Sequence, residues 1–279
     1  MQSRSNHPIR LAVLLTHTWR CVAAMLVLAA VFPFCQPAAA ESPIGDWNYT
    51  VRSWQAQNGL PGETVQSFAQ TLDGFLWVGT SDGLFRFDGA NFTLFSHENT
   101  PQMRENSVFC LLAGRNGHLW IGTDGGGLLD MHDGIFRAYT AADGLTDVFI
   151  RALFEDRSGT LWVATDSGLF RVTGNKVTRA DNRPEMPASA FHGLYEDHTG
   201  RIWAGAAQLY AIRDGVPEVY PLGGVDNQHR LKSILETADG SIWAGTVAGL
   251  YRMLPGTDRF AQVPGVWGTV RTLKEVAPG

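Results

Sequence analysis

A short segment that ends in tryptophan recurs five times at nearly constant spacing, and it constrains the fold more than any other feature of the chain. Successive tryptophans are separated by 43, 42, 41 and 40 residues. A period of about 40–45 residues is typical of repeat architectures, in which one unit cannot bury its apolar faces alone and must stack against the next. Each tryptophan comes directly after Leu or Ile, with a Gly three positions before it, and the five are Trp77, Trp120, Trp162, Trp203 and Trp243.

Each repeat has the pattern of four short strands joined by turns. In the second unit we predict strands over residues 108–113, 118–123, 127–131 and 135–140. The Asn116-Gly117 pair between the first two strands predicts a hairpin turn whose two central residues have positive φ. The other units follow the same plan, with a Gly at the equivalent turn position.

Four-stranded units at this period indicate an all-β fold, a β-propeller of four-stranded blades. We predict five complete blades, a lone outer strand over residues 49–54 and the start of a sixth blade over residues 270–279. Each tryptophan would lie between neighbouring blades, and the small residue two positions later would let the next sheet approach closely. The pattern favours part of a seven-bladed ring that is incomplete at the C-terminus, and a closed five-bladed ring is the alternative.

The first forty residues have the layout of a secretory signal. Three arginines and no acidic residue occupy residues 1–20, an apolar run fills residues 21–34, and small residues precede Ala40. We therefore predict a signal peptide over residues 1–40 and the propeller over residues 41–279. A retained membrane anchor is the alternative, but the apolar run is short against the roughly 20 residues that a spanning helix needs. Residues 41–279 carry a net charge of −8 without runs of Lys or Arg, which argues against nucleic-acid binding.

The repeat resembles a known family. Residues 156–169 read Asp-Arg-Ser-Gly-Thr-Leu-Trp-Val-Ala-Thr-Asp-Ser-Gly-Leu. This sequence resembles the two-component regulator propeller repeat except at Ala164, and the resemblance extends over residues 44–279. The fourth unit departs most, because it lacks the Thr and the Gly of the pattern.

The resemblance implies a sensory role outside the cytoplasm. Propellers of that family lie at the N-terminus of inner-membrane receptors, in the periplasm, ahead of a β-sandwich module and a membrane-anchored output domain. The output is a histidine kinase or a diguanylate cyclase, the ligand is in several cases a carbohydrate, and the parent receptor would form a homodimer. A secreted propeller that binds or cleaves polysaccharide by itself is the alternative function.

Acidic residues at equivalent loop positions give the candidate ligand site. Asp82, Asp124 and Asp166 occupy the loop between the second and third strands of three consecutive units. Carboxylates accept hydrogen bonds from sugar hydroxyls, so an acidic arc there would suit an oligosaccharide or another small molecule. Arg104, in the loop before the second unit, and Arg183, before the fourth, would suit a carboxylate or sulfate group. The alternative is that Asp is simply favoured in turns.

The sequence holds no pattern typical of catalysis or of a cofactor. It lacks a Gly-x-Ser-x-Gly elbow, a phosphate-binding loop and a His-Glu-x-x-His motif. The six histidines after residue 40 are not spaced as metal pairs. We therefore predict neither a cofactor nor a metal, and no enzymatic activity within this chain. Cys110 lies in an apolar strand and is expected to be a buried, unreactive thiol.

Overall fold

The computed structural model describes residues 53–54, 59–60, 64–186, 189–222 and 231–276. The predicted signal peptide, most of the predicted outer strand over residues 49–54, and Gly279 lie outside these ranges. Ser53 and Trp54 are described and are not in a strand, although the Trp54 ring packs edge-on against Phe87 with centroids 5.3 Å apart.

The described residues form twenty β-strands, a single turn of 3-10 helix over Ala141–Asp143 and no α-helix. In chain order the strands are β1 Val65–Gln70, β2 Leu76–Thr80, β3 Leu84–Phe87, β4 Phe92–Phe95, β5 Val108–Ala113, β6 Leu119–Thr123, β7 Leu128–His132, β8 Ile135–Tyr139, β9 Ile150–Glu155, β10 Leu161–Thr165, β11 Leu169–Thr173, β12 Lys176–Arg179, β13 Gly193–Glu196, β14 Ile202–Gly205, β15 Leu209–Arg213, β16 Val216–Tyr220, β17 Leu231–Glu236, β18 Ile242–Thr246, β19 Leu250–Met253 and β20 Ala261–Gln262. Within this part of the chain no helix is long and apolar enough to cross a membrane.

The strands form five antiparallel four-stranded sheets, each in simple sequential order. We call these sheets blades 1 to 5 and their successive strands a to d. The a strands of consecutive blades pack side by side, β1 on β5, β5 on β9, β9 on β13 and β13 on β17. Among the described residues no comparable packing joins β17 to β1, so the blades form an open, incomplete propeller. The predicted β-propeller of four-stranded blades is confirmed, while the total of seven blades stays a prediction.

The connections divide the molecule into two surfaces. Because the strands run up and down in turn, the b–c loops and the d–a loops share one surface, the loop face. The a–b and c–d turns share the opposite one, the turn face. One turn prediction was wrong in detail: Gly117 has a φ of 79°, but Asn116 does not have positive φ. Gly114 N donates to His118 O at 2.8 Å, so the connection is a three-residue hairpin with only its last residue left-handed.

The repeated tryptophans of blades 1 to 4 lie between two blades, as predicted, and Trp243 of blade 5 packs against Val270 in the segment that follows. Trp77 of blade 1 packs against Val108, Leu119 and Ile121 of blade 2. Trp203 of blade 4 is fully buried against apolar residues of blade 5. A ring of this size excludes a large apolar area from water, so these contacts supply much of the free energy that holds adjacent blades together.

The small residue two positions after each tryptophan allows that contact. A Cβ added to Gly79 would lie 2.6 Å from Val108 of the next blade, and one added to Gly205 would overlap Leu231. The first residue of β5, β9 and β17 therefore packs directly onto the backbone of the preceding b strand. Val270 occupies the same position on Gly245, as expected for the start of a sixth blade.

A glutamate at the end of the a strand joins adjacent blades on the turn face. Its carboxylate accepts a hydrogen bond from a backbone N–H in the a–b turn of the preceding blade. The pairs are Glu155 with Arg115 N at 3.0 Å, Glu196 with Arg157 N at 2.7 Å, Glu236 with His198 N at 2.6 Å and Glu275 with Ala238 N at 3.1 Å. Glu275 thus repeats, beyond blade 5, a contact that its equivalents make inside the propeller.

The residue six positions before the tryptophan satisfies the indole N–H. Asp156 accepts from Trp162 Nε1 at 2.8 Å and Asp197 accepts from Trp203 Nε1 at 2.9 Å. In blades 1 and 5 a threonine hydroxyl takes the same role, with Thr71 and Thr237 each 3.0 Å from the indole nitrogen. This contact explains why the repeat motif begins with an acidic residue. The same carboxylate accepts hydrogen bonds from the a–b turn and from the indole N–H, so it fixes both the turn and the orientation of the ring.

We expect Gly205→Ala to destabilise the protein by about 1–3 kcal/mol, because its Cβ overlaps Leu231 and forces blades 4 and 5 apart. Urea unfolding followed by tryptophan fluorescence measures the change. The control is Ala164→Gly at the equivalent position of blade 3, which adds no atoms to the interface and is expected to cost about 1 kcal/mol or less. Equal urea midpoints for Gly205→Ala and the parent protein would contradict the proposed role of the small residue.

The Asp197 carboxylate predicts a specific acid sensitivity. Burial alone would raise the pKa of Asp197, but hydrogen bonds from Thr199, Trp203 and Arg201 outweigh it and hold the pKa at about 2. A pKa below the unfolded value stabilises the fold above about pH 4, and this stabilisation is lost as the pH falls through 2. We expect Asp197→Asn to cost roughly 2 kcal/mol at pH 7.

The difference in free energy of unfolding between Asp197→Asn and the parent protein should narrow steeply below pH 4. Urea titrations at a series of pH values measure it. Asp258→Asn is the control, since the Asp258 side chain is 88% exposed and its change should leave the midpoints unaltered. If the difference in free energy of unfolding does not vary with pH, the substitution acts through packing and not through the charge of Asp197, and the prediction is wrong.

Candidate functional site

The b–c loops that carry the predicted acidic residues are shaped by a buried threonine. Thr123 Oγ1 donates to Gly127 O at 2.8 Å and accepts from Gly126 N at 2.9 Å. Thr165 Oγ1 likewise donates to Gly168 O at 2.9 Å. These bonds close each b–c loop tightly on the loop face. Blade 4 has Ala206 at this position and closes its shorter loop through a backbone bond from Ala206 N to Gln208 O at 2.8 Å.

The d–a loop ahead of blade 3 is fastened to the b–c loops on both sides of it. Gly125 N in blade 2 donates to Val148 O at 3.1 Å, and Asp166 N in blade 3 donates to Phe149 O at 3.2 Å. Asp147 accepts from Ser167 N at 2.7 Å. Three chain segments from two blades therefore form one hydrogen-bonded surface, and they fix where the acidic side chains stand.

The structure brings Asp124 and Asp166 together through an arginine that sequence reasoning missed. Arg151 Nη1 donates to Asp124 Oδ1 at 2.8 Å. Its Nε and Nη2 donate to the two oxygens of Asp166 at 2.6 and 2.5 Å, in a bidentate pair. The guanidinium also lies over the Phe109 and Phe149 rings, 4.9 and 5.7 Å from their centroids. We call these five residues the Arg151 cluster.

The cluster has mixed charge and is open to solvent. The side chains of Asp124 and Asp166 are about 40% exposed, whereas that of Arg151 is 15% exposed beneath them. Hydrogen bonds from Arg151 lower the pKa of Asp166, and the same bonds raise the pKa of Arg151. Asp166 is therefore held ionised, which suits a hydrogen-bond acceptor and not a general acid.

The other predicted site residues do not join this cluster. Asp82 is exposed in the b–c loop of blade 1, where its backbone N–H donates to Thr80 Oγ1 at 3.1 Å. Arg104 is exposed in the d–a loop before blade 2, and Arg183 is exposed before blade 4. Within the described residues, neither Asp82 nor Arg104 makes an ion pair. The acidic arc is thus one pair of carboxylates, Asp124 and Asp166, bridged by Arg151, plus the separate Asp82.

A comparison of equivalent positions in the a strands, and not only in the loops, would have identified Arg151 as a site residue. Ile150 pairs with Thr165 but Ala152 pairs with Ala164, so Arg151 is the extra residue of a β-bulge at the loop-face end of β9. A bulge of this kind redirects one side chain without ending the strand. The same position in the other a strands and in the segment after blade 5 holds Gln66, Phe109, His192, Lys232 and Arg271. From blade 3 onward these residues are basic or histidine.

The remaining reactive side chains show no catalytic arrangement. Burial raises the pKa of the Cys110 thiol to about 12, which agrees with the expected unreactive thiol. Among the described residues no group of histidine, cysteine and carboxylate side chains is placed to hold a metal ion. His229 lies outside the described residues.

We expect Arg151→Met to raise the pKa of Asp166, because the substitution removes the cation that holds it ionised and leaves Asp124 close by. NMR titration of the carboxyl carbons measures this shift. With Arg151 present, the lowered pKa stabilises the fold above about pH 4 and this contribution fades as the pH falls through the folded value. The stability difference between the two proteins should therefore be largest near neutral pH, and an unchanged Asp166 titration would contradict the assignment.

Comparisons with known proteins agree with the fold. The model of the two-component regulator propeller matches residues 102–125 and 144–167, which include Asp124, Arg151 and Asp166. No curated protein sequence matches the chain. The extracellular domain of a hybrid two-component system from B. thetaiotaomicron is 22% identical to this chain, with a TM-score of 0.66. The match covers 78% of this chain and 32% of that domain.

Two further solved structures share the architecture. A second extracellular domain of a hybrid two-component system from B. thetaiotaomicron is 24% identical, with a TM-score of 0.58 over 72% of this chain and 27% of that one. Virginiamycin B lyase from Staphylococcus aureus is 16% identical, with a TM-score of 0.59 over 74% of this chain and 71% of the lyase. The chain thus spans about a third or less of the two extracellular domains from B. thetaiotaomicron.

Proposed function

We propose that this chain, which carries two-component regulator propeller repeats, is the ligand-sensing propeller of a transmembrane receptor and acts outside the cytoplasm. The two domains of hybrid two-component systems that share its fold support this role. So does the predicted signal peptide over residues 1–40. A histidine kinase or diguanylate cyclase, a β-sandwich module and dimerisation would belong to the longer parent receptor.

The observation that carries the proposal is the Arg151 cluster on the loop face. It combines ionised acceptors, a cation and an exposed aromatic ring at the junction of two blades, and Phe149 is 40% exposed. A sugar can place hydroxyl groups on the carboxylates and an apolar ring face on the aromatic side chain. We therefore propose a carbohydrate ligand that spans blades 1 to 3, with Asp82 and Arg104 at its far end.

Binding at this place can be transmitted because it involves two blades. The d–a loop before blade 3 is hydrogen-bonded to the b–c loops of blades 2 and 3. A ligand that contacts both loops would favour one relative position of the blades, and a module packed behind the propeller would respond to that preference. The coupling requires different affinities of the ligand for the two arrangements.

We expect the combined change of Asp82, Asp124 and Asp166 to Ala to weaken oligosaccharide binding at least tenfold, because the change removes three hydrogen-bond acceptors. Calorimetry of the purified chain against a panel of oligosaccharides measures the affinity. Asp258→Ala is the control, since it also removes an exposed carboxylate but lies in the c–d connection of blade 5 on the turn face. It should bind as the parent protein does.

Two results would overturn parts of this proposal. Undiminished signalling by a receptor that carries the three Ala substitutions would remove the acidic residues from the ligand site. Release of reducing ends from a polysaccharide by the purified chain would favour the alternative, a secreted propeller that cleaves polysaccharide. Binding of a panel member with loss in the triple variant and no cleavage would support the sensor.

A further inference from the structure

A cavity lies between blades 2 and 3 near the turn face, away from the Arg151 cluster. It encloses about 380 Å³, which is within the range of small-molecule pockets, roughly 300–1,000 Å³. Its walls include the aromatic rings of Trp120 and Tyr139, the apolar side chains of Leu161 and Val172, and the carboxylate of Glu155. The cavity therefore has an apolar wall and a polar rim.

Beside this cavity, blade 2 departs from the repeat at one position. In the other four blades an Asp or Thr six residues before the tryptophan accepts the indole N–H. Blade 2 has Gly114 there, and a Cβ added to it would lie 3.2 Å from Trp120 Nε1 and 3.0 Å from Glu155 Oε2. The missing side chain would occupy the space beside the indole nitrogen.

Trp120 therefore presents its indole N–H to the cavity. Its side chain is 8% exposed and lines the cavity, and Nε1 has no hydrogen-bond partner among the described residues. Among the described residues, Nε1 is not one of the fully enclosed polar atoms that lack a partner, so water or a ligand in the cavity can reach it. A ligand that displaces this water has to accept the hydrogen bond, or the N–H is left without a partner at a cost in free energy.

The neighbouring polar groups are fixed by partners of their own. His118 Nδ1 lies 2.8 Å from Asp130 Oδ1, and the His118 ring stacks on Trp120 with centroids 5.5 Å apart. Glu155 Oε2 accepts from the backbone N–H of Arg115 at 3.0 Å, which holds the carboxylate in place. The site is therefore preorganised, and little order has to be imposed when a ligand enters.

These groups select the chemistry of the occupant. Trp120 Nε1 requires an acceptor, so an alkylammonium ion, which has none, would leave it unsatisfied. An anion would face the carboxylates of Asp130 and Glu155. We infer that the cavity between blades 2 and 3 is a binding site for a small neutral polyol ring, a sugar or cyclitol, with one hydroxyl accepting from Trp120 Nε1 and others donating to the carboxylates.

The first test restores the acceptor that the other blades have. Gly114→Thr follows the pattern of Thr71 and Thr237, and Gly114 does not have positive φ, so the backbone permits the change. We expect this variant to unfold at a higher temperature than the parent protein and to bind D-glucose and myo-inositol at least tenfold more weakly. Calorimetry and saturation-transfer NMR measure the binding.

A second pair of variants keeps the inference testable if Gly114→Thr does not fold. Trp120→Phe retains an aromatic ring but removes Nε1, which has no partner to lose. Trp243→Phe removes the Nε1 that is bonded to Thr237 at 3.0 Å in blade 5. We expect Trp120→Phe to lose polyol binding with the smaller drop in melting temperature, and Trp243→Phe to keep binding with the larger drop.

Each alternative outcome overturns the inference. If neither D-glucose nor myo-inositol binds to the parent protein, the cavity is only hydrated and the inference is wrong. If choline or inorganic phosphate binds in preference, the occupant is charged and the polyol is wrong. If both polyols bind equally to the parent protein and to Gly114→Thr, they occupy another place. The Asp82, Asp124 and Asp166 triple variant should retain this binding, which separates the cavity from the loop-face site.

Discussion

The contact of each tryptophan with the next blade is the interaction on which the rest of the structure depends. The ring fills the space between two sheets, and its N–H is bonded to the turn residue six positions earlier in four of the five blades. Gly at the second position after the ring lets the following a strand approach its backbone. Together these contacts fix the separation of the blades, and so they bring the loop of one blade within reach of side chains on the next.

The period of the repeat predicted most of the fold because its signals are local and recur. Tryptophan, the small residue and the turn Gly each answer a steric need within one blade or one interface. The wrong turn geometry at Asn116 has a local cause as well. The Asn-Gly pair favours a two-residue turn, but the backbone bond from Gly114 to His118 closes a longer one. Local propensity there gave way to the registry of strands β5 and β6.

The candidate site was predicted only in part, because the sequence comparison of the five units covered their loop positions and not the equivalent positions of their a strands. The positions of Asp124 and Asp166 on adjacent b–c loops followed from the repeat. Their pairing through a shared arginine did not, since Arg151 lies at a bulge in an a strand, where the direction of the side chain depends on the register. The predicted arc of unpaired carboxylates would bind different ligands from the observed pair of carboxylates around a guanidinium. The first would repel anions, while the second offers acceptors and donors to one ligand.

Departures from the repeat are therefore the positions where this chain can differ in function from other propellers of the same design. Residues shared by every blade are already committed to packing or to closing turns, and their substitution would disturb an interface before it altered recognition. Gly114 differs from its equivalents in the other four blades, and Arg151 is the basic residue at its position that lies between two b–c loop aspartates. Each affects the hydrogen bonding of a single junction, between blades 2 and 3. Arg151 builds a charged cluster on the loop face, and Gly114 leaves the Trp120 N–H facing a cavity near the turn face. Because both act on the same pair of blades, occupation of either site would bear on the same inter-blade contact.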